Sequence, residues 1–149
     1  MMKRFGESVR NDIKYVHRSG IYAILPINGN LLLTHQLAPV PEFQLPGGGI
    51  DPGEHPIAAL HREVMEETGW KIARPRRVGV FRRFVLMPEY DLWAEKVCTV
   101  FLAHPVLRLG DPTEKGHSDH IVPLALARDL LVNPGDSSFV SQFMQKIVN

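Results

Sequence analysis

Residues 48–70 read Gly-Gly-Ile-Asp-Pro-Gly-Glu-His-Pro-Ile-Ala-Ala-Leu-His-Arg-Glu-Val-Met-Glu-Glu-Thr-Gly-Trp. Three glutamates, Glu63, Glu66 and Glu67, stand at i, i+3 and i+4, so at 3.6 residues per turn their side chains share one helical face. Ile57, Leu60 and Val64 recur at the same spacing about a quarter-turn away, a core-facing stripe beside the acidic one. Pro56 suits a first helical position and Gly69 the left-handed residue after a last turn, which predicts a helix over residues 56–68. Such a helix docks through its apolar stripe and still presents its acids.

Three carboxylates packed this closely oppose folding, by roughly 0.3 kcal/mol per exposed pair and by up to ~3 kcal/mol at an effective dielectric of 20 and ~6 Å. Something should compensate. One reading is a solvated acidic face on which Arg62 pairs with Glu66 at i+4. The other is a hard divalent cation, for which oxygen ligands suit magnesium or manganese. The helix alone leaves both open.

The wider stretch decides between them. Gly48, Glu54, Arg62, Glu63, Glu66, Glu67 and Gly69 follow the pattern Gly, five residues, Glu, seven residues, Arg-Glu, an aliphatic, any residue, Glu-Glu, any residue, Gly. Seven fixed positions at about 7% each would coincide on the order of once in a million chains of this length. On these residues the chain resembles the Nudix hydrolase superfamily of MutT type, with Trp70 where that family usually carries Ile, Leu or Val.

The resemblance implies an α/β fold, the Nudix α/β/α sandwich with a mixed β-sheet between helices. It also implies a magnesium-dependent hydrolase, with manganese able to substitute, that cleaves a phosphoanhydride in a nucleoside diphosphate linked to another group. Carried onto this chain, Glu63, Glu66 and Glu67 are the expected metal ligands. Gly47 and Gly48 bring backbone close to metal and phosphate, and Glu54 with Arg62 ties this loop to the helix. Glycine suits that loop because it permits unusual dihedrals and leaves no side chain in the substrate's way. A carboxylate from a later loop, Glu114 or Asp119, is expected as a further ligand or general base, with Glu63 as base if neither serves. A regulatory Nudix-fold domain that binds a nucleotide without cleaving it is the alternative from another class; such domains typically lose box carboxylates, and this chain keeps them all. The glycines form neither a Gly-x-Gly-x-x-Gly nor a Walker pattern.

Composition narrows the remainder. With 149 residues, 44% hydrophobic and 22% charged, the chain is expected to be a single domain over residues 1–149 with a real core. A net charge of +1 argues neither for nor against nucleic-acid partners globally, and no extended basic surface is evident, so a small nucleotide is expected instead. Local charge says more: the acidic stretch is followed by Lys71, Arg74, Arg76, Arg77, Arg82 and Arg83 with no acid among them, which would suit a polyphosphate, and Arg82 is a substrate candidate. One cysteine, Cys98, excludes an intrachain disulfide and makes a reducing cytoplasm the expected compartment. In its apolar setting it reads as an inert buried thiol. No leader and no apolar run of membrane-spanning length is seen.

In chain order, residues 1–12 lack hydrophobic periodicity and read as a flexible arm. Residues 15–26 and 30–37 read as strands joined by Asn28-Gly29, a strong hairpin signal. Residues 43–45 deliver the chain to the glycine loop. Residues 77–87 and 95–104 read as further strands, separated by a segment in which Tyr90 and Trp93 are candidates to stack on a nucleobase. Residues 105–119 read as a long loop, with His117 and His120 as surface residues. Residues 121–124 read as a last strand and 124–131 as a short helix. Ser137 is expected to cap a final helix with Phe139, Val140, Phe143, Met144, Ile147 and Val148 at helical spacing. A homodimer is expected from the resemblance.

Overall fold

A computed structural model describes residues 2–148, with the side chain of Val148 outside that description. A five-stranded mixed sheet runs in the order β1 (Lys3–Gly6), β7 (Trp70–Met87), β8 (Leu92–Arg108), β2 (Val16–Ile24), β6 (Gly47–Gly49). The pairs β1–β7 and β2–β8 are parallel, whereas β7–β8 and β2–β6 are antiparallel. In a smaller antiparallel sheet, β4 (Asn30–Gln36) pairs with β3 (Pro26–Ile27), β5 (Glu42–Gln44) and β9 (His117–Pro123). Helix α1 (Pro56–Thr68) covers one face of the large sheet, and α2 (Leu124–Leu130) and α3 (Pro134–Val148) lie on the other.

Strand β2 shows how one sheet serves two cores, because alternate residues point to opposite faces. Ile21 and Ala23 join Ala59, Leu60 and Val64 of α1 and Phe101 and Ala103 of β8. Ile24, with Tyr22 packed beside it, joins Cys98, Val100, Phe81, Phe139 and Val140 on the α3 side. This is the α/β/α sandwich that the resemblance implied.

The expected helix over residues 56–68 is found with those limits. His55 Nδ1 accepts the Ile57 N–H at 3.1 Å, and Gly69, at φ 76°, closes the helix by donating to the Met65 carbonyl. The hairpin at Asn28-Gly29 is also found, both residues at positive φ.

Three segments depart from expectation: the arm, the long loop and the last helix. Within residues 1–12, Lys3–Gly6 is a parallel edge strand, fixed where the Phe5 ring meets Phe81 edge-on at 5.6 Å; Met1 lies outside the described residues. The loop read over 105–119 shrinks to 109–116, because β8 continues to Arg108 and β9 begins at His117 against β4. Residues 88–90 form a single 3-10 turn. Helix α3 starts earlier than expected: Asn133 Oδ1 accepts the Gly135 N–H, and Ser137 instead donates to the Arg128 carbonyl. Phe139 and Val140 are buried and Phe143 and Met144 pack on the core, but Ile147 is 57% exposed; the Val148 side chain lies outside the described residues.

Candidate active site

The pairing of β6 with β2 sets Gly47, Gly48 and Gly49 opposite Tyr22, Ile21 and Gly20, so the glycine loop lies against the α1 face of the sheet edge. Gly47 has φ 151°, and a Cβ there would sit 2.1 Å from the Ile21 carbonyl oxygen. Its N–H donates to Glu67 Oε1 at 2.9 Å. A Cβ on Gly48 would lie 2.5 Å from Glu63 Oε2. Bare backbone is therefore required for loop and helix to meet.

Arg62 organises the acids around this contact. Its Nε and Nη2 donate to the two oxygens of Glu54 at 2.8 and 2.9 Å, a bidentate pair, and Nη2 also donates to the Gly49 carbonyl. Nη1 donates to Glu63 at 3.0 Å and to Glu66 at 3.2 Å. The guanidinium hydrogen bonds hold the Glu54 carboxyl down at about 2. Glu63 and Glu67 go the other way. Burial pushes both carboxyls up, and like charge on Glu66 and Glu114 adds to it. For Glu63 the nearby Arg62 opposes the rise, and for Glu67 the Gly47 N–H does. Two half-buried to buried carboxyls thus resist ionisation unless further positive charge is supplied.

His117 completes the wall, although the sequence read it as a surface residue. Its side chain is 11% exposed, with Nε2 3.6 Å from Glu67 Oε2 and Nδ1 2.8 Å from Thr34 Oγ1. Thr34 is itself buried and donates to the Glu67 carbonyl. The signal that could have found the pair is the register of β9 on β4, which sequence alone does not give.

The loop candidates separate in space. Glu114 sits in residues 109–116 on the last turn of α1, where the Thr113 and Glu114 N–H groups both donate to the Glu66 carbonyl at 2.8 Å. Asp119 departs from the expected free ligand: both its oxygens are engaged by Arg108, at 2.9 and 3.1 Å, and Oδ2 also accepts from Trp70 Nε1. The substrate candidates lie apart from the acids. Arg18 stacks over Tyr90 with its guanidinium carbon 5.2 Å from the ring centroid, Trp93 meets Tyr15 edge-on, and Arg82 lies over Phe84 near Glu95. Among the described residues none of the three bonds or pairs with Glu63, Glu66 or Glu67. Cys98 is buried, and burial pushes its thiol up to about 11, as befits an inert core residue.

The donors fit a hard divalent cation in kind: carboxylate oxygens beside a backbone cradle that a Cβ would fill. Among the described residues no three His, Cys, Asp or Glu side chains are already drawn into a closed cage, and Arg62 supplies the positive charge between Glu63 and Glu66.

A family model of the NUDIX domain matches residues 16–143. The chain belongs to the Nudix family. It is 33% identical over 78 residues to a candidate 8-oxo-dGTP diphosphatase of Bacillus subtilis (strain 168), covering 52% of either chain. It is 59% identical over 32 residues to an RNA pyrophosphohydrolase of Cereibacter sphaeroides, 22% of this chain and 20% of that one. The match thus spans about half the length of the first relative and a fifth of the second. Among solved structures, a NUDIX hydrolase from Nitrosomonas europaea superposes with a TM-score of 0.72 over 88% of this chain and 90% of its own, at 17% identity, a likeness of fold. Among the described residues no helix is long and apolar enough to cross a membrane.

Proposed function

We propose that this Nudix domain hydrolyses a phosphoanhydride bond in a nucleoside diphosphate linked to another group, using magnesium, with manganese able to substitute, at Glu63, Glu66 and Glu67. The observation that carries the reading is the set of carboxyls that one arginine cannot neutralise, with Glu63 and Glu67 raised by burial and mutual repulsion against a loop stripped to bare backbone. The chemistry such a cation supplies when bound is neutralisation of phosphate oxygens and acidification of water.

The chain's own residues do the rest. Glu63 and Glu67 present oxygen donors from adjacent turns of α1, with Glu67 aimed by the Gly47 N–H and walled by His117. Arg62 orients Glu63 and Glu66 and ties both to Glu54. The glycine loop leaves backbone for a pyrophosphate to approach. Glu114 is the loop carboxylate that takes a proton from the attacking water or adds a ligand; what favours it over Asp119 is that both Asp119 oxygens are already engaged by Arg108. The names of the two relatives point to nucleoside triphosphates and RNA 5′ ends as first substrates to try.

The test is Glu66→Gln, which keeps shape and removes one charge. Turnover should fall by roughly 100-fold or more while the circular dichroism of the fold is unchanged. Near-normal turnover would sink the assignment.

A further inference from the structure

Loop 109–116 is fastened to the C-terminal end of α1 at two points. At its start the Leu109 N–H donates to the Gly69 carbonyl, and Gly110 runs so close that a Cβ on Gly69 would sit 1.9 Å from its oxygen. In its middle the Thr113 and Glu114 N–H groups share the Glu66 carbonyl, one of the last-turn acceptors a helix leaves without a partner. The loop thus caps the C-terminal turn of the acidic helix, and Glu114 is the residue it delivers there.

What holds the loop's first half in register is a second cluster. Arg108, the last residue of β8, donates from Nη2 to Asp111 Oδ1 in the loop at 3.0 Å and to Asp119 Oδ1 on β9 at 3.1 Å, while its Nε donates to Asp119 Oδ2 at 2.9 Å. Trp70, the first residue beyond the cap of α1, donates its indole N–H to the same Asp119 oxygen. An Ile, Leu or Val at position 70 has no such donor. The Asp119 side chain is 14% exposed, against 92% for Asp111. Asp119 is therefore the fixed point, and Arg108 transmits its position to the loop.

We propose that Asp119, with Trp70 and through Arg108, is a positioning residue that sets the Glu114 loop on the last turn of the acidic helix. The assignment rests on the hydrolase reading for its kinetic consequence, but the docking of the loop stands apart from it. Asp119→Ala leaves Arg108 without its bidentate partner, so the guanidinium that holds Asp111 loses its anchor and the loop lifts from α1.

Amide hydrogen exchange on the metal-free protein reads the docking directly. In Asp119→Ala the Thr113 and Glu114 amides should exchange about tenfold faster, with the amides in the middle of α1 unchanged. Unchanged protection at Thr113 and Glu114 overturns the proposal. Trp70→Phe, which keeps the ring and removes only the N–H, gives the same test at smaller amplitude, about twofold to threefold, should Asp119→Ala fold poorly. The kinetic arm is a double-mutant cycle. Asp119→Ala should lower kcat by about tenfold with KM within twofold, and should cost nothing further in a Glu114→Gln background. An equal loss in both backgrounds means that Asp119 acts on the fold at large, and that overturns the positioning role. If the unaltered protein proves to have no hydrolase activity, the hydrolase reading fails on that fact and exchange alone decides whether Asp119 positions the loop.

Discussion

Two arginines in this molecule hold carboxylates in the same way and are encoded in opposite ways. Arg62 grips Glu54 with two hydrogen bonds of 2.8 and 2.9 Å, and Arg108 grips Asp119 with two of 2.9 and 3.1 Å. Each carboxyl is pulled below its ordinary range by the guanidinium beside it. Arg62, however, reaches on to Glu63 and Glu66 within its own helix, so the clamp and the acids it steadies occupy one short stretch. Arg108 joins the end of β8 to β9 and to a loop, with Trp70 added from β7. The first clamp acts on charge and the second on backbone path. A clamp written in spacing is visible before folding, whereas one written in sheet register appears only after it.

The largest losses are expected inside the first clamp. Glu67→Gln retains an acceptor for the Gly47 N–H but removes the charge, so turnover should drop by roughly 100-fold to 1000-fold with an unchanged fold. A loss of less than threefold would mean that the charge on Glu67 is not used. Arg62→Ala comes next. It strips Glu54, Glu63 and Glu66 of their common partner, and kcat should fall by roughly 10-fold to 100-fold, with lysine restoring only part of it because a single ammonium cannot make the fork.

A third carboxyl shows what the absence of a clamp does. Asp136, on the α3 face, is buried, and among the described residues it accepts only the Leu45 N–H and leaves Oδ1 without a partner. Burial pushes it up to about 7. Since the folded carboxyl is raised above the ~3.9 of an unfolded aspartate, the fold binds this proton more tightly. Stability should therefore fall as pH rises from about 4 to about 7 and level off above that. Asp136→Asn should be more stable than the parent at pH 8 by on the order of 4 kcal/mol, a margin that shrinks to nothing near pH 4; urea unfolding across that range checks it. Glu54 gives the opposite sign and the smallest effect. Its folded carboxyl is held at about 2, so its contribution is present above the unfolded value near 4.3 and is lost as pH falls toward 2. The difference in acid stability between the parent and Glu54→Gln should close over that interval.

Much of the fold was legible because its decisive elements carry local signals. Pro56, Gly69 and the Ile57, Leu60, Val64 stripe marked α1 to the residue, and Asn28-Gly29 marked the hairpin. What stayed hidden depends on distant partners. Residues 3–6 contain one aromatic and no alternation, so nothing announces a strand until Phe5 meets Phe81. The extension of β8 past Pro105 and the start of β9 at His117 come from pairing with β7 and β4. The same pairing turns His117 from a surface residue into a neighbour of Glu67, and it separates Asp119 from Glu114. Asn133 outranked Ser137 as a cap because Pro134 already has the dihedral of a first helical residue.

The measurement that bears most directly on the whole account is hydrolysis of a panel of nucleoside triphosphates, ADP-ribose, nucleotide sugars and diadenosine polyphosphates with magnesium or manganese. Products are separated by chromatography, and each reaction is repeated with excess chelator. At least one member should be cleaved at a phosphoanhydride, with cleavage abolished by chelator and restored by added magnesium. No cleavage across the panel, with tight binding of one member, would contradict the hydrolase reading and leave a nucleotide-binding Nudix domain in its place.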